Sequence, residues 1–421
     1  MKLSYRKDVL PNGIRVVTES SRDVGSVSLG FWVGVGSSLE PPKMAGVSHF
    51  IEHILFKGTA KRSAFELANV LESVGGSIDA FAGRESTAFV ARCLSEHMGK
   101  AVGVISDMLC GPAMREKDIE LEKRVVFEEI RSLEDTPEDV AHELLAASVW
   151  RKNPVGKSVL GTGDTVGRFT RGSVMPFFKS FYASPNIIVA ASGRVDHRRL
   201  VGSVNRMLKV PAKCPPPGPQ TFSSGVARVH NAIRRVSQCY ICLGVEAPPY
   251  TSGRRFANMM LSMIVGGGMT SRLFQEVREK EALAYTVYGS CEFYRNTGIF
   301  FVFLAVDPKK AKKAIGRVVK ELKKLKTNGL ARGELSSVKQ QFRGGLLLGL
   351  ESSAARMNRL VRHEFYLNDY HPIEDSLRKI RRIKESDIMD EARLLLDPSA
   401  FSLVTVGPST TDFPSESDLS F

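Results

Sequence analysis

The feature that most limits how this chain can fold is an order of elements that runs twice, broken at KVPAKCPPPGPQTFSSG, residues 209–225. Prolines and small polar residues replace every periodic pattern there, so the stretch reads as a Pro-rich linker between residues 1–208 and 226–421. Each half opens on β-rich sequence, VVTES and VSLGFWVGVGS in the first and VSQCYICLGVEAP in the second, and runs on into a long helical segment. A second strand region follows in both, GGSIDAFAGRESTAFVARCL and then ALAYTVYGSCEFYRNTGIFFVFLAV, before more helices close the half. The repeated order predicts an internal duplication: an α+β chain of two homologous domains, each a mostly antiparallel sheet covered by helices. A length of 421 residues agrees, because two cores of roughly 200 residues are ordinary and one core of the whole is not.

The two copies differ in their first helix. Where the second has RRFANMMLSMIV, without histidine, the first has MAGVSHFIEHILFKGT, in which Val47, Phe50, Ile51, Ile54 and Leu55 form an apolar stripe. Ser48 is the expected early cap and Gly58 the stop. His49, Glu52 and His53 lie on the other side. At about 100° per residue, His49 and His53 point the same way one turn apart, as two imidazoles must to share one tetrahedral zinc. Two histidines alone are as often plain polar residues on a solvated face. Glu52 tips the balance, since H-x-x-E-H is the inverted form of the H-E-x-x-H zinc peptidase signature.

A catalytic zinc takes three protein ligands and keeps a position for water, so a carboxylate is still missing. Its best source is DIELEKRVVFEEIRSLED, where Glu122 and Glu129 share the sector of Ile119, Val126, Ile130 and Leu133 while Glu128 points nearly opposite. A glutamate on an apolar stripe needs a cation or hydrogen bonds to offset its desolvation, which favours Glu129 over Glu128. Periodicity alone leaves the plainer reading in front, that Glu122 and Glu129 reach the helix edge or pair with arginines.

Several other features point away from function. Cys93, Cys110, Cys214, Cys239, Cys242 and Cys291 are scattered, as reduced buried thiols are; the C-x-x-C of Cys239 and Cys242 sits in an apolar strand-like run with no second ligand pair. GKS at 156–158 ends like a phosphate loop, but Arg151 stands where the first glycine is required. A net charge of +14 raises the question of nucleic acid. The densest basic run, DPKKAKKAIGRVVKELKKLKTNG, nevertheless spaces Ala311, Ile315, Val318, Val319 and Leu322 along one stripe, the pattern of an amphipathic helix with a solvated basic face. No specific nucleic-acid partner is expected. Apolar runs are too short to span a bilayer, and no apolar stretch follows MKLSYRKDVLPNG, so the expected location is cytoplasmic; a presequence already removed would instead make this a mature protein of an organellar matrix.

Taken together, HFIEHILFKGT at 49–59 with Glu122 and Glu129 downstream resembles the pitrilysin and insulin-degrading enzyme superfamily, above all its short-chain branch, which includes mitochondrial processing peptidase and bacterial peptidases. The likeness runs nearly end to end, through LPNGIRVV at 10–17, PVGKSVLGT at 154–162, SFYASPNIIVAASG at 180–193 and GGGMTSRLFQEVREKEALAYTVY at 266–288. It implies one zinc per chain held by His49, His53 and Glu129, a general base at Glu52, and a supporting carboxylate at Glu122. It also implies that Arg278 and Tyr285 face the substrate and the developing oxyanion, roles that suit two hydrogen-bond donors. Many relatives carry Asn at the position of Asp79 and Thr at that of Ala82. This segment resembles the strand that pairs with the substrate backbone; an acidic Asp79 there would alter substrate preference, and the resemblance assigns it no binding role.

The function implied is that of a zinc metalloendopeptidase acting on unfolded peptides or precursor segments, with Glu52 taking a proton from the attacking water and passing it to the leaving amine. Relatives of this length form half of a clamshell. Two chains, as a homodimer or as a heterodimer with a related chain, would enclose a chamber in which Arg278 and Tyr285 reach the other chain's zinc. The alternative is a non-catalytic subunit or peptide-binding scaffold of a processing-peptidase-like heterodimer, against which the intact H-x-x-E-H, Glu129, Arg278 and Tyr285 all speak.

Overall fold

The computed structural model describes residues 3–151, 153–212, 228–397 and 400–419, so the linker expected at 209–225, apart from residues 209–212, lies outside the described residues, as does Cys214. A first sheet is formed by β1 (Ser4–Val9), β2 (Arg15–Ser20), β3 (Ser26–Val33), β4 (Ser77–Ala82), β5 (Thr87–Leu94) and β6 (Ile187–Gly193), in the spatial order β1-β2-β6-β3-β5-β4. The second holds β7 (Arg228–Ile233), β8 (Cys239–Ala247), β9 (Ala284–Phe293), β10 (Gly298–Val306) and β11 (Ser402–Gly407), in the order β7-β11-β8-β10-β9. With β1 set aside the two orders are the same. Each sheet contains a single parallel pair, β2 with β6 and β7 with β11, and is antiparallel elsewhere. The duplication therefore extends to topology, and the α+β expectation of two mostly antiparallel sheets covered by helices holds.

The chain divides into two compact units, neither of them continuous in sequence: Met1–Arg131 with Lys157–Gln220 and Leu348–Tyr370, and Ser132–Gly156 with Thr221–Leu347 and His371–Phe421. Central strands such as β3 and β10 are buried on both faces, which requires helices on both. In the first unit one of these covers is the helix Ser353–Leu367, whose Met357, Leu360 and Val361 pack on Val17, Trp32 and Ile188. Its charged residues are anchored as well: Arg356 donates to Glu19 at 2.8 Å, and Glu364 takes Lys7 at 2.7 Å. In the second unit the corresponding cover is the helix Pro137–Val149, with Leu145 and Val149 in the layer that includes Cys242, Phe303 and Val404. Each half of the sequence thus lends a helix to the sheet formed mainly by the other.

Cys239 and Cys242 point to opposite faces of β8, one into each layer, so they pack and cannot share a ligand. The basic run forms the helix Ala311–Asn328, with Ile315, Val318 and Leu322 buried. No helix among the described residues is long and apolar enough to cross a membrane.

The H-x-x-E-H helix spans Val47–Leu55. Phe50, Ile51, Ile54 and Leu55 are completely buried, each contributing roughly 1.5–3 kcal/mol as an upper estimate, and this stripe fixes which way the opposite face looks. The expected cap at Ser48 is not made. Gly46 occupies the cap position at φ +90°, and the N–H groups of Gly46 and Ser48 donate to the Glu40 carboxylate at 2.6 and 2.7 Å. The helix closes at Phe56, and Gly58 turns the chain just beyond it.

Candidate metal centre

His49 and His53 sit one turn apart on the face opposite that stripe, and the helix Glu116–Glu134 brings Glu129 against them. The two Nε2 atoms are 3.1 Å apart, and the Glu129 Oε2 lies 3.3 Å from that of His49 and 3.4 Å from that of His53. Tetrahedral coordination with bonds of about 2.0–2.1 Å has ligand-to-ligand edges of about 3.3 Å, so this triangle fits zinc. It is the one such cluster among the described residues. Glu128 points away and pairs with Arg131 in solvent.

The two glutamates differ in burial. Glu129 keeps 40% of its side chain exposed, while Glu122 keeps 3%. The desolvation argument therefore belongs to Glu122, whose carboxylate faces His53 Nδ1 at 2.9 Å and the Lys57 ammonium at 2.6 Å. Burial pushes the Glu122 pKa up, but these two bonds outweigh it and leave the group below the usual carboxylate range. The Nδ1–H of His53 is then committed to Glu122, which leaves its Nε2 lone pair facing His49 and Glu129. Burial works against charge on His53 too, yet the bond to Glu122 and the charges of Glu129 and Glu52 raise its pKa. His49 goes the other way, to about 4, because burial and then His53 disfavour its charged form. Its Nδ1 is buried with no hydrogen-bond partner among the described residues.

Glu52 is half-buried beside the pair. Burial raises its pKa, with His53 and a hydrogen bond from the Ala82 N–H opposing and the charges of Glu129 and Asp79 adding to the rise. A carboxylate held more basic than usual is what a general base requires near neutrality. Ala82 and Asp79 belong to β4, the last strand of its sheet, so among the described residues no strand pairs with the outer edge of β4, and Asp79 and Phe81 are exposed on it.

The other two expected residues belong to the second unit. Arg278 lies in the π-helix Phe274–Lys280, its guanidinium 4.7 Å from the Phe274 ring centroid and 4.8 Å from that of Tyr285. Tyr285 is 76% exposed on β9, itself an edge strand, and both residues line an open cleft of about 400 Å³ with Gln238, Asp307 and Lys310. The structure thus brings His49, Glu52, His53, Glu122 and Glu129 together in one unit, and Arg278 with Tyr285 in the other.

A hydroxyl–imidazole–carboxylate chain also exists, from Thr18 through His197 to Asp8 at 2.8 Å for each step. Thr18 is completely buried, so no substrate reaches its hydroxyl. Two residues beside the His–His–Glu cluster carry no motif of their own. Lys57 follows His53 by one helical turn, a spacing that could have suggested it. Glu40 precedes the helix at a distance that no capping rule covers.

Fold and site together define a two-sheet α+β protein with, among the described residues, one His–His–Glu cluster on an H-x-x-E-H helix. Residues 15–163 match the family model described as insulinase, peptidase family M16, and residues 168–342 match that of the peptidase M16 inactive domain. This chain belongs to peptidase family M16. An uncharacterized zinc protease of Streptomyces coelicolor is 36% identical over 96% of this chain and 90% of its own length. A second, of Mycobacterium tuberculosis, is 35% identical over 96% and 94%, and YmxG of Bacillus subtilis, also described as an uncharacterized zinc protease, is 30% identical over 94% and 97%. Among solved structures, a protease from Helicobacter pylori superposes with a TM-score of 0.91 at 21% identity, covering 96% of this chain and all of that one. A peptidase M16 inactive domain from Pseudomonas fluorescens gives 0.91 at 19%, covering 98% and all of that chain. At these identities the two structures speak for the fold alone.

Proposed function

We propose that this chain is a zinc metalloendopeptidase that hydrolyses unfolded peptides or precursor segments. The observation that carries the reading is the triangle of His49, His53 and Glu129, with edges of 3.1, 3.3 and 3.4 Å, placed beside a basic, half-buried Glu52. Zinc bound there would supply Lewis acidity toward a peptide carbonyl and an attacking water. Glu52 takes the proton from that water and delivers it to the nitrogen of the leaving amine. Glu122 holds the His53 ring in the tautomer that leaves Nε2 free, and Lys57 holds Glu122. The unpaired edge of β4 offers backbone donors and acceptors to an extended peptide, which selects segments without secondary structure of their own.

Tyr285 and Arg278 donate hydrogen bonds to the developing oxyanion and are supplied by a second copy in a homodimer. Mixing a Glu52→Gln chain with a Tyr285→Phe chain tests the sharing: activity recovers in the mixed dimer if sites are shared, and its failure to recover refutes sharing.

The function itself is tested by cleavage of a library of quenched-fluorescent peptides by the purified chain, before and after a chelator and with zinc restored. Cleavage is expected to vanish with the chelator, return with zinc, and be absent in Glu52→Gln despite retained metal. A Glu52→Gln variant that cleaves at the wild-type rate refutes the mechanism, and a zinc-loaded wild type that cleaves nothing leaves the chain as a scaffold.

A further inference from the structure

The helix that carries His49, Glu52 and His53 is nine residues long, so its ends matter as much as its packed face. Its N-terminus has no side-chain cap of its own. A β-carbon on Gly46 would lie 2.5 Å from the Leu160 carbonyl oxygen, so only glycine fits the cap position. The N–H donors there go to the two oxygens of one carboxylate: Gly46 to Oε2 and Ser48 to Oε1 of Glu40. Glu40 is 2% exposed. A buried carboxylate at a helix N-terminus is favoured by the helix dipole and forms charge-assisted bonds, about twice as strong as neutral ones.

Glu40 is itself braced. Lys157 Nζ donates to the Glu40 carbonyl oxygen at 2.8 Å, and the Lys157 carbonyl accepts from Arg84 at 2.5 Å and from Ser37 at 3.4 Å. Thr165 Oγ1 donates to the Ala45 carbonyl at 2.7 Å, and a β-carbon on Gly161 would come within 2.2 Å of that same oxygen. The GKS at 156–158, which ends like a phosphate loop, thus serves as a strut under the segment leading into the metal helix.

We propose that Glu40, braced by Lys157, is a positioning residue for the metal centre: it touches neither metal nor substrate, yet sets the axial position and rotation of the helix bearing both histidines. This rests on the zinc reading above. The tolerance is small, because ligand distances must hold within about 0.2 Å, whereas a slip of one residue along the helix moves an atom by about 1.5 Å. Loss of Glu40 leaves two buried N–H donors to find other partners, and the helix moves to provide them.

The test measures zinc affinity by competition with a chromophoric chelator for the wild type, Glu40→Gln and Val204→Ala, together with hydrogen exchange at the Ser48 amide and separate kcat and KM values. Glu40→Gln keeps the size but offers one acceptor oxygen instead of two. It is expected to bind zinc roughly ten-fold more weakly, in line with changes in groups that orient metal ligands, and to lose kcat with KM within about two-fold. Val204 is completely buried in the helix His197–Met207, so Val204→Ala lowers stability without reaching the site and should keep wild-type zinc affinity. If Glu40→Gln does not fold, Lys157→Gln, which keeps the clamp but removes the brace, is expected to weaken zinc in the same direction. Unchanged affinity in the folded variant, or an equal loss in Val204→Ala, overturns the proposal. A wild-type chain that binds no zinc sinks the metal reading and this inference with it; a zinc-binding wild type with an unaffected Glu40 variant sinks this inference alone.

Discussion

Replacing Glu122 by glutamine removes one negative charge and almost no volume, and the structure says how much zinc affinity should go with it. The carboxylate is 3% exposed, accepts from His53 Nδ1 at 2.9 Å and forms an ion pair with Lys57 Nζ at 2.6 Å. A hydrogen bond to a charged partner contributes about 1.5–3 kcal/mol, against about 0.5–1.5 for a neutral one. Lys57 is 31% exposed and can turn to water, so its share is discounted and only the His53 bond is counted. The loss is then about 1.4 kcal/mol, or a ten-fold weaker zinc Kd. Glu122→Ala leaves the His53 Nδ1–H without an acceptor, and the loss grows toward about a hundred-fold. Competition against a chelator of known affinity at neutral pH measures both. Zinc Kd values within two-fold of wild type in both variants would refute the claim that Glu122 orients His53 for the metal.

Glu129→Gln removes an anionic group from the ligand triangle itself and should weaken zinc by more than Glu122→Gln, by about a hundred-fold or beyond; equal affinities in equilibrium dialysis would count against Glu129 as a ligand. Asp79→Asn should reduce any preference for basic side chains in the peptide by about five-fold, the equivalent of about 1 kcal/mol for a screened ion pair; unchanged library profiles would remove Asp79 from substrate selection. Phe50→Ala, at a completely buried position, should lower unfolding free energy in urea by about 3–5 kcal/mol, and a loss under 1 would mean that the metal helix is not held by its stripe.

What could be read from the sequence follows the range of the interactions involved. The apolar stripe of Val47–Leu55 and the stacking of His49 over His53 are local consequences of a 3.6-residue period, and the helix forms where the spacing predicts it. The repeated order of elements was legible for the same reason, since each strand and helix announces itself within a short window. The insertion of β6 between β2 and β3, and of β11 between β7 and β8, was not, because partners far apart in sequence leave no local period. Nor was the exchange of the helices Pro137–Val149 and Ser353–Leu367, each of which reads as belonging to the half that encodes it. At the site, periodicity set Glu122 and Glu129 on one apolar sector and favoured their reaching the helix edge; Glu129 does so at 40% exposure, while Glu122 is buried at 3% against His53 and Lys57, partners that no local period announces. Ser48 looked like a cap because serine caps helices often; the donors went instead to a carboxylate delivered by a loop.

The most direct test of the account is anomalous diffraction at the zinc absorption edge from crystals of the zinc-loaded chain. One peak is predicted within about 2.0–2.2 Å of His49 Nε2, His53 Nε2 and a Glu129 carboxylate oxygen, with Glu122 bonded to His53 and away from the metal. A peak elsewhere, or none at these three side chains in zinc-replete crystals, would contradict the assignment of this site and the function built upon it.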